Sequence, residues 1–109
     1  MVLLKAIFRP DRADAVKDAL IRIGIGGMTM TEVRGHGQQE GHTTVNRGQE
    51  YAVTLLPKTQ VEVVMEDHLV PEAITAVIES ARTGQIGDGR IFTMPVTGSY
   101  RIRTRELDI

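Results

Sequence analysis

Cysteine is absent from the 109-residue chain, which excludes disulfides, thiolate zinc sites and thiol catalysis together and fits a reducing, cytoplasmic setting. Charge of one sign is also missing. Against 14 acidic residues stand 13 lysines and arginines, a net charge of -1, so no general attraction to nucleic acid or to an anionic membrane is implied. The chain lacks a long hydrophobic run as well: Met1 to Phe8 is apolar but interrupted by Lys5 and followed by Arg9 and Pro10, too short for a signal peptide or a membrane span. Its length suits a single domain, 1–109, of a size at which subunit association is a natural source of added stability.

Hydrophobic periodicity divides what is present. Val2 to Phe8 has the length and content of a buried strand closed by Pro10. Asp11 is placed to cap a helix whose stripe is Val16, Ala19, Leu20 and Ile23, with Gly24 as a left-handed stop. Met28 to Val33 alternates as a strand does. The order then repeats: Val61 to Met65 as a strand, a helix with Pro71 in its first turn and a stripe of Ile74, Val77, Ile78 and Ala81, Gly84 as its stop, and a strand from Arg90 to Val96. Two strand-helix-strand units in so short a chain predict an α+β, ferredoxin-like βαββαβ sandwich, its antiparallel sheet covered on one face by two helices. Ser99 to Thr104 reads as a short extra strand.

Between the halves, Gly35 to about Pro57 begins polar and glycine-rich, without helical or strand periodicity, and Gly37 to about Glu50 has no apolar stripe to anchor it and is expected to be mobile without a partner. A long structureless connection is expected; such loops usually carry function. Two other segments suit anions. Gly84, Gly87 and Gly89 lack Cβ atoms and let backbone N–H groups approach phosphate oxygens, although the lysine and hydroxyl of a P-loop are missing and an ordinary turn is the plainer reading. Arg101 and Arg103, two apart, would share one face of a strand and repel unless an anion lay between them; a solvated edge is the alternative. His36, His42 and His68 lack metal-ligand spacing, and no catalytic triad or paired catalytic carboxylates stand out, so a non-enzymatic protein is expected.

Several stretches together resemble the PII signalling protein family. Thr31-Glu32-Val33-Arg34-Gly35-His36-Gly37-Gln38-Gln39 is similar to the family's entry into its long T-loop, Arg47-Gly48-Gln49-Glu50-Tyr51 to the loop tip and Leu56-Pro57-Lys58 to its exit. Thr83-Gly84-Gln85-Ile86-Gly87-Asp88-Gly89-Arg90-Ile91-Phe92 is similar to the nucleotide-binding B-loop, and Arg101-Ile102-Arg103-Thr104 to the C-terminal strand and loop. The resemblance implies a T-loop at about 36–57, a B-loop at about 82–90 and a C-terminal strand and loop at about 99–109. It also implies a cytoplasmic homotrimer that binds ATP or ADP between subunits and regulates a transporter or an enzyme of nitrogen or carbon metabolism through the T-loop. The residues implied at the nucleotide are Gly27, Met28, Thr29, Gly35, Gly37, Gln38, Gln39, Lys58, Glu62, Val64, Gly87, Asp88, Gly89, Arg90, Arg101 and Arg103, the last two reaching across from a neighbouring subunit. Gln39 would ligate magnesium beside ATP and form the 2-oxoglutarate site with Gly41, Lys58 and Gly87. Lys58 would meet Glu62 when no ligand is present, and Tyr51 stands where some members carry a nucleotidylylation target.

Departures from the pattern suggest a divergent branch: Gln38 replaces an arginine, His36 an aromatic, Gln85 a lysine and Asn46 a tyrosine, while Arg90 replaces a lysine and keeps its charge. Two rival readings are an enzyme on the same scaffold, such as a phosphatase or slow ATPase, and a sensor of another small anion, such as bicarbonate, or of a metal.

Overall fold

Alternation along the first strand decides which side of the sheet is inside. In β1, Val2–Phe8, the side chains of Leu4, Ala6 and Phe8 are buried, and those of Leu3, Lys5 and Ile7 take the opposite face of the pleat. The computed structural model describes the backbone of residues 1–36, 43–46, 49–52 and 55–108, and the side chains of 1–36 and 55–108.

A 3-10 turn, Pro10–Arg12, leads from β1 into helix α1, Ala13–Arg22. Strand β2 is Thr29–Gly35, strands β3 and β4 are Thr43–Asn46 and Gln49–Ala52, and β5 is Leu56–Met65. Helix α2, Val70–Ala81, and strand β6, Gly89–Pro95, complete the order. The main sheet runs β2-β5-β1-β6, antiparallel at each ladder, and β3 pairs with β4 apart from it. Each helix connects two strands that have a third between them, the split βαβ of a ferredoxin-like sandwich. Both helices lie on one face: Val16 and Leu20 of α1 and Ala73, Val77 and Ala81 of α2 join Leu4, Ala6, Phe8, Val61, Val63 and Met65 in one core.

The other face carries Leu3, Ile7, Val64, Phe92 and Met94, with Lys5, Lys58, Gln60, Glu62 and Arg90 among them. Val64 is 46% exposed, Phe92 44% and Met94 37%, so this chain leaves a partly apolar surface open to water.

Gly24 stops α1 as its sequence predicts, at a φ of +96°, with the Gly24 and Ile25 amides donating to the Ile21 and Leu20 carbonyls. Other expectations are corrected. Asp11 caps nothing, because Pro10 opens a 3-10 turn that places Asp11 inside it. Helix α2 ends at Ala81, ahead of Gly84, since Arg82 is already extended, and Ala73 rather than Ile78 completes its buried stripe. Strand β5 begins at Leu56, five residues before Val61, because a strand with only one face buried tolerates Lys58, Gln60 and Glu62 on the other. The stretch between β2 and β5 is not structureless: β3 and β4 are rich in Thr, Val and Tyr, which favour strands. Ser99 to Thr104 is not a strand; Ile102, Arg103 and Thr104 form a turn, and a single bridge joins Tyr100 to Leu107.

Candidate functional site

Loop 82–88, between α2 and β6, is organised by one carboxylate. Asp88 Oδ2 accepts the amides of Thr83 and Gly84, each at 2.8 Å, and Oδ1 accepts the Thr83 hydroxyl and Arg9 Nε, the latter at 3.1 Å. The Thr83 hydroxyl oxygen in turn accepts the Gln85 amide at 3.1 Å. From outside the loop, Arg9 Nη2 donates to the Ile86 carbonyl at 2.8 Å and Lys58 Nζ to the Gly87 carbonyl at 2.7 Å. Gly84, Gly87 and Gly89 all have positive φ, so the glycines noted in the sequence serve a backbone path that other residues rarely follow.

Register explains why these groups meet. Phe8 pairs with Gly89 on one side and with Thr59 on the other. The next step along the sheet places Arg9 between Asp88 and Lys58, with Val33 beyond Lys58. The row is therefore carboxylate, guanidinium, ammonium, at the end of β1 and beside the exit from the 36–55 stretch.

Partial desolvation pushes the Asp88 carboxyl up, but the bonds from Thr83, Arg9 and Gly84 outweigh it and hold the group well below the usual carboxylate range. Burial, then the neighbouring Arg9 charge, lowers the Lys58 ammonium, and Asp88 partly restores it. A depressed carboxyl stabilises the fold fully above its unfolded value of about 4 and loses that contribution as pH falls towards its folded value. An NMR titration should therefore show the Asp88 carboxyl protonating below the ordinary carboxylate range, with the bonds it makes to the loop released on that acid limb. A midpoint at the ordinary value would contradict this network.

The residues singled out in the sequence fall into groups. Gly35, Lys58, Gly87, Asp88, Gly89 and Arg90 cluster near one end of the sheet. Glu62 and Val64 lie further along the open face of β5, four and six residues from Lys58, or about 13 and 20 Å at the rise of a strand. Thr29 pairs with Glu62, and Gly27 and Met28 precede it. Lys58 and Glu62 therefore do not meet: the Glu62 carboxylate accepts from Gln60 Nε2 at 3.2 Å, and the Lys58 ammonium reaches Gly87. Arg101 and Arg103 do not share a strand face. Arg101 Nε pairs with Asp108 Oδ1 at 2.7 Å in a C-terminal loop where Arg103 is exposed. Gly37, Gln38, Gln39 and Gly41 lie outside the described residues, as does the side chain of Tyr51.

Sequence reasoning missed Arg9 as part of the site, and named Thr83 only as a member of the B-loop-like stretch. Arg9 continues the open-face alternation of Leu3, Lys5 and Ile7, a signal that becomes readable only once Gly89 is known to be its neighbour.

A ferredoxin-like sandwich with an open sheet face and a glycine loop braced by two cations suits a small binding or regulatory protein. The family described as "Nitrogen regulatory protein P-II" matches residues 1–106. Proteins named nitrogen regulatory protein P-II are 53% identical over 106 residues in Azospirillum brasilense, covering 97% of this chain and 95% of that one, and 49% identical over 108 residues in Rhizobium etli, covering 99% and 96%. Nitrogen regulatory protein P-II 1 of Escherichia coli K12 is 47% identical over 108 residues, covering 99% and 96%. The chain belongs to the P-II family, and that membership supports a P-II signal-transduction role. At this level of identity the chain is not an outlying member, which corrects the divergent placement suggested by Gln38, His36, Gln85 and Asn46.

Proposed function

We propose that the chain acts as a homotrimer that binds ATP or ADP in clefts between subunits and signals that state to a transporter or metabolic enzyme through residues 36–57. The observation that carries this is the division of the candidate residues. Gly27, Met28, Thr29, Glu62 and Val64 lie on the β2 and β5 side of the sheet, and Gly87, Asp88, Gly89 and Arg90 lie at β6 with β1 between, so one chain presents the two sets at separate places. A neighbouring copy packed on the open face brings one set opposite the other.

The chemistry of the first set fits phosphate: the loop follows a path of positive φ at three glycines, without Cβ atoms on its surface there, and Arg90 and Lys58 supply positive charge. The second set presents Val64 and Met28 for an apolar base. Arg101 and Arg103 belong to the C-terminal loop, where Tyr100 and Leu107 are exposed and Ile102 is 98% exposed, a surface that a neighbouring subunit would cover. Magnesium and 2-oxoglutarate would be held through Gln39, Gly41, Lys58 and Gly87. Such a ligand switches the 36–57 segment only as far as it prefers one arrangement of it over another.

Light scattering combined with calorimetry tests the reading. A trimer mass at micromolar concentration is expected, with binding of ATP and ADP and with 2-oxoglutarate binding only when magnesium and ATP are present. A monomer mass, or heat from bicarbonate but none from adenine nucleotides, would overturn it in favour of a different anion sensor.

A further inference from the structure

We propose that Arg9 is a positioning residue for the nucleotide loop, holding Asp88 and the Ile86 carbonyl together so that the loop backbone is set before the ligand arrives. The inference rests on the nucleotide reading above and extends it to a residue that would not itself touch the ligand.

Two bonds from one guanidinium define the role. Nε donates to Asp88 Oδ1 at 3.1 Å and Nη2 to the Ile86 carbonyl at 2.8 Å, so Arg9 spans the loop at two points two residues apart. A planar fork makes two such bonds from separate, preorganised nitrogens with little further loss of freedom, whereas an ammonium offers its donors from a single nitrogen. The anchor is firm, because Arg9 sits between β1 and Pro10, whose ring restricts the preceding backbone to the extended conformation it adopts here, φ -65° and ψ 138°. Arg9 and Asp88 have side chains only 24% and 23% exposed, so the pair is partly shielded from solvent. The Asp88 oxygens also hold the Thr83 and Gly84 amides, so Arg9 acts on the whole 83–88 backbone through a single carboxylate. Its charge is thus spent on the loop rather than on the ligand.

The test is a double-mutant cycle read by calorimetry with ATP and with ADP: wild type, Arg9→Met, Asp88→Asn and the pair, together with Arg9→Lys. Arg9→Met is expected to weaken ATP and ADP by the same factor, about five- to tenfold, with the double variant no weaker than the weaker single one. Arg9→Lys should recover part of the loss through Asp88 alone. Should Arg9→Met fail to fold, Arg9→Lys against Asp88→Asn carries the same comparison. Wild-type affinity in Arg9→Met, or a loss larger for ATP than ADP and additive with Asp88→Asn, overturns the positioning role, the second outcome by showing direct phosphate contact. Wild-type protein that binds neither nucleotide removes the functional reading itself, a result visible before any variant is compared.

Discussion

Gly89→Ala is expected to destabilise the protein by about 3 kcal/mol or more and to abolish the order of the adjacent loop. A Cβ at Gly89 would lie 1.8 Å from the Ile7 carbonyl oxygen and 2.8 Å from its carbon, and both belong to the backbone of β1, so no side-chain rotation relieves the collision. The φ of +109° adds strain of its own. Relief requires β6 to move off β1 where Phe8 pairs with Gly89, which withdraws the bonds around Asp88. Gly84 is the control: its φ is +88° but nothing lies within 4 Å of its Cβ position, so Gly84→Ala should cost only about 1 kcal/mol of backbone strain. Urea unfolding of both variants decides the matter. Equal midpoints would show that conformation alone, and not the approach of β1, requires glycine at position 89.

The second large effect lies in the core. Leu20 is fully buried on α1, where it packs with the β1 and α2 side chains of the same cluster, so Leu20→Ala should cost about 2–5 kcal/mol through lost burial and the cavity left behind. Ile21, the next residue, is 52% exposed, and Ile21→Ala should stay within about 0.5 kcal/mol. Thermal unfolding should be compared at one protein concentration, because association would raise apparent stability by mass action. Similar losses at the two positions would mean that α1 is rotated from the orientation described.

Ligand binding and signalling are expected to depend on the same local order. If Arg9 and Asp88 set the loop, Gly89→Ala should remove nucleotide affinity along with stability, while Leu20→Ala should reduce stability and leave the affinity of the folded fraction intact.

Much of this protein was legible in its sequence. Val16, Ala19 and Leu20 mark the buried face of α1 because a helix returns to the same side every third or fourth residue, and that period is independent of what the helix packs against. Gly24 marked the stop of α1, since a left-handed residue ends a helix by local geometry. The motifs from Thr31 to Gln39 and from Thr83 to Phe92 pointed to the P-II family, and the whole-chain match bears that out. Local signals failed where a choice depended on neighbours. Gly84 reads as a helix stop, yet Arg82 has already left the helix, and Gly84 instead gives its amide to Asp88. Arg101 and Arg103 have the spacing of one strand face, but Arg101 pairs with Asp108 within a loop and needs no strand partner.

The alternation of β1, the buried face and stop of α1 and the family the chain belongs to were thus determined by the sequence itself, because those properties reside in short stretches of backbone and side chain. Register was decided by the tertiary structure alone. Pairing Phe8 with both Gly89 and Thr59 brings Arg9 between Asp88 and Lys58, residues 79 and 49 positions away in the chain. A shift of one residue would turn Arg9 to the helix side and bury its charge in the core. Leu4, Ala6 and Phe8 against the helices forbid that shift, so the packing of the core is what assembles the charged row on the opposite face.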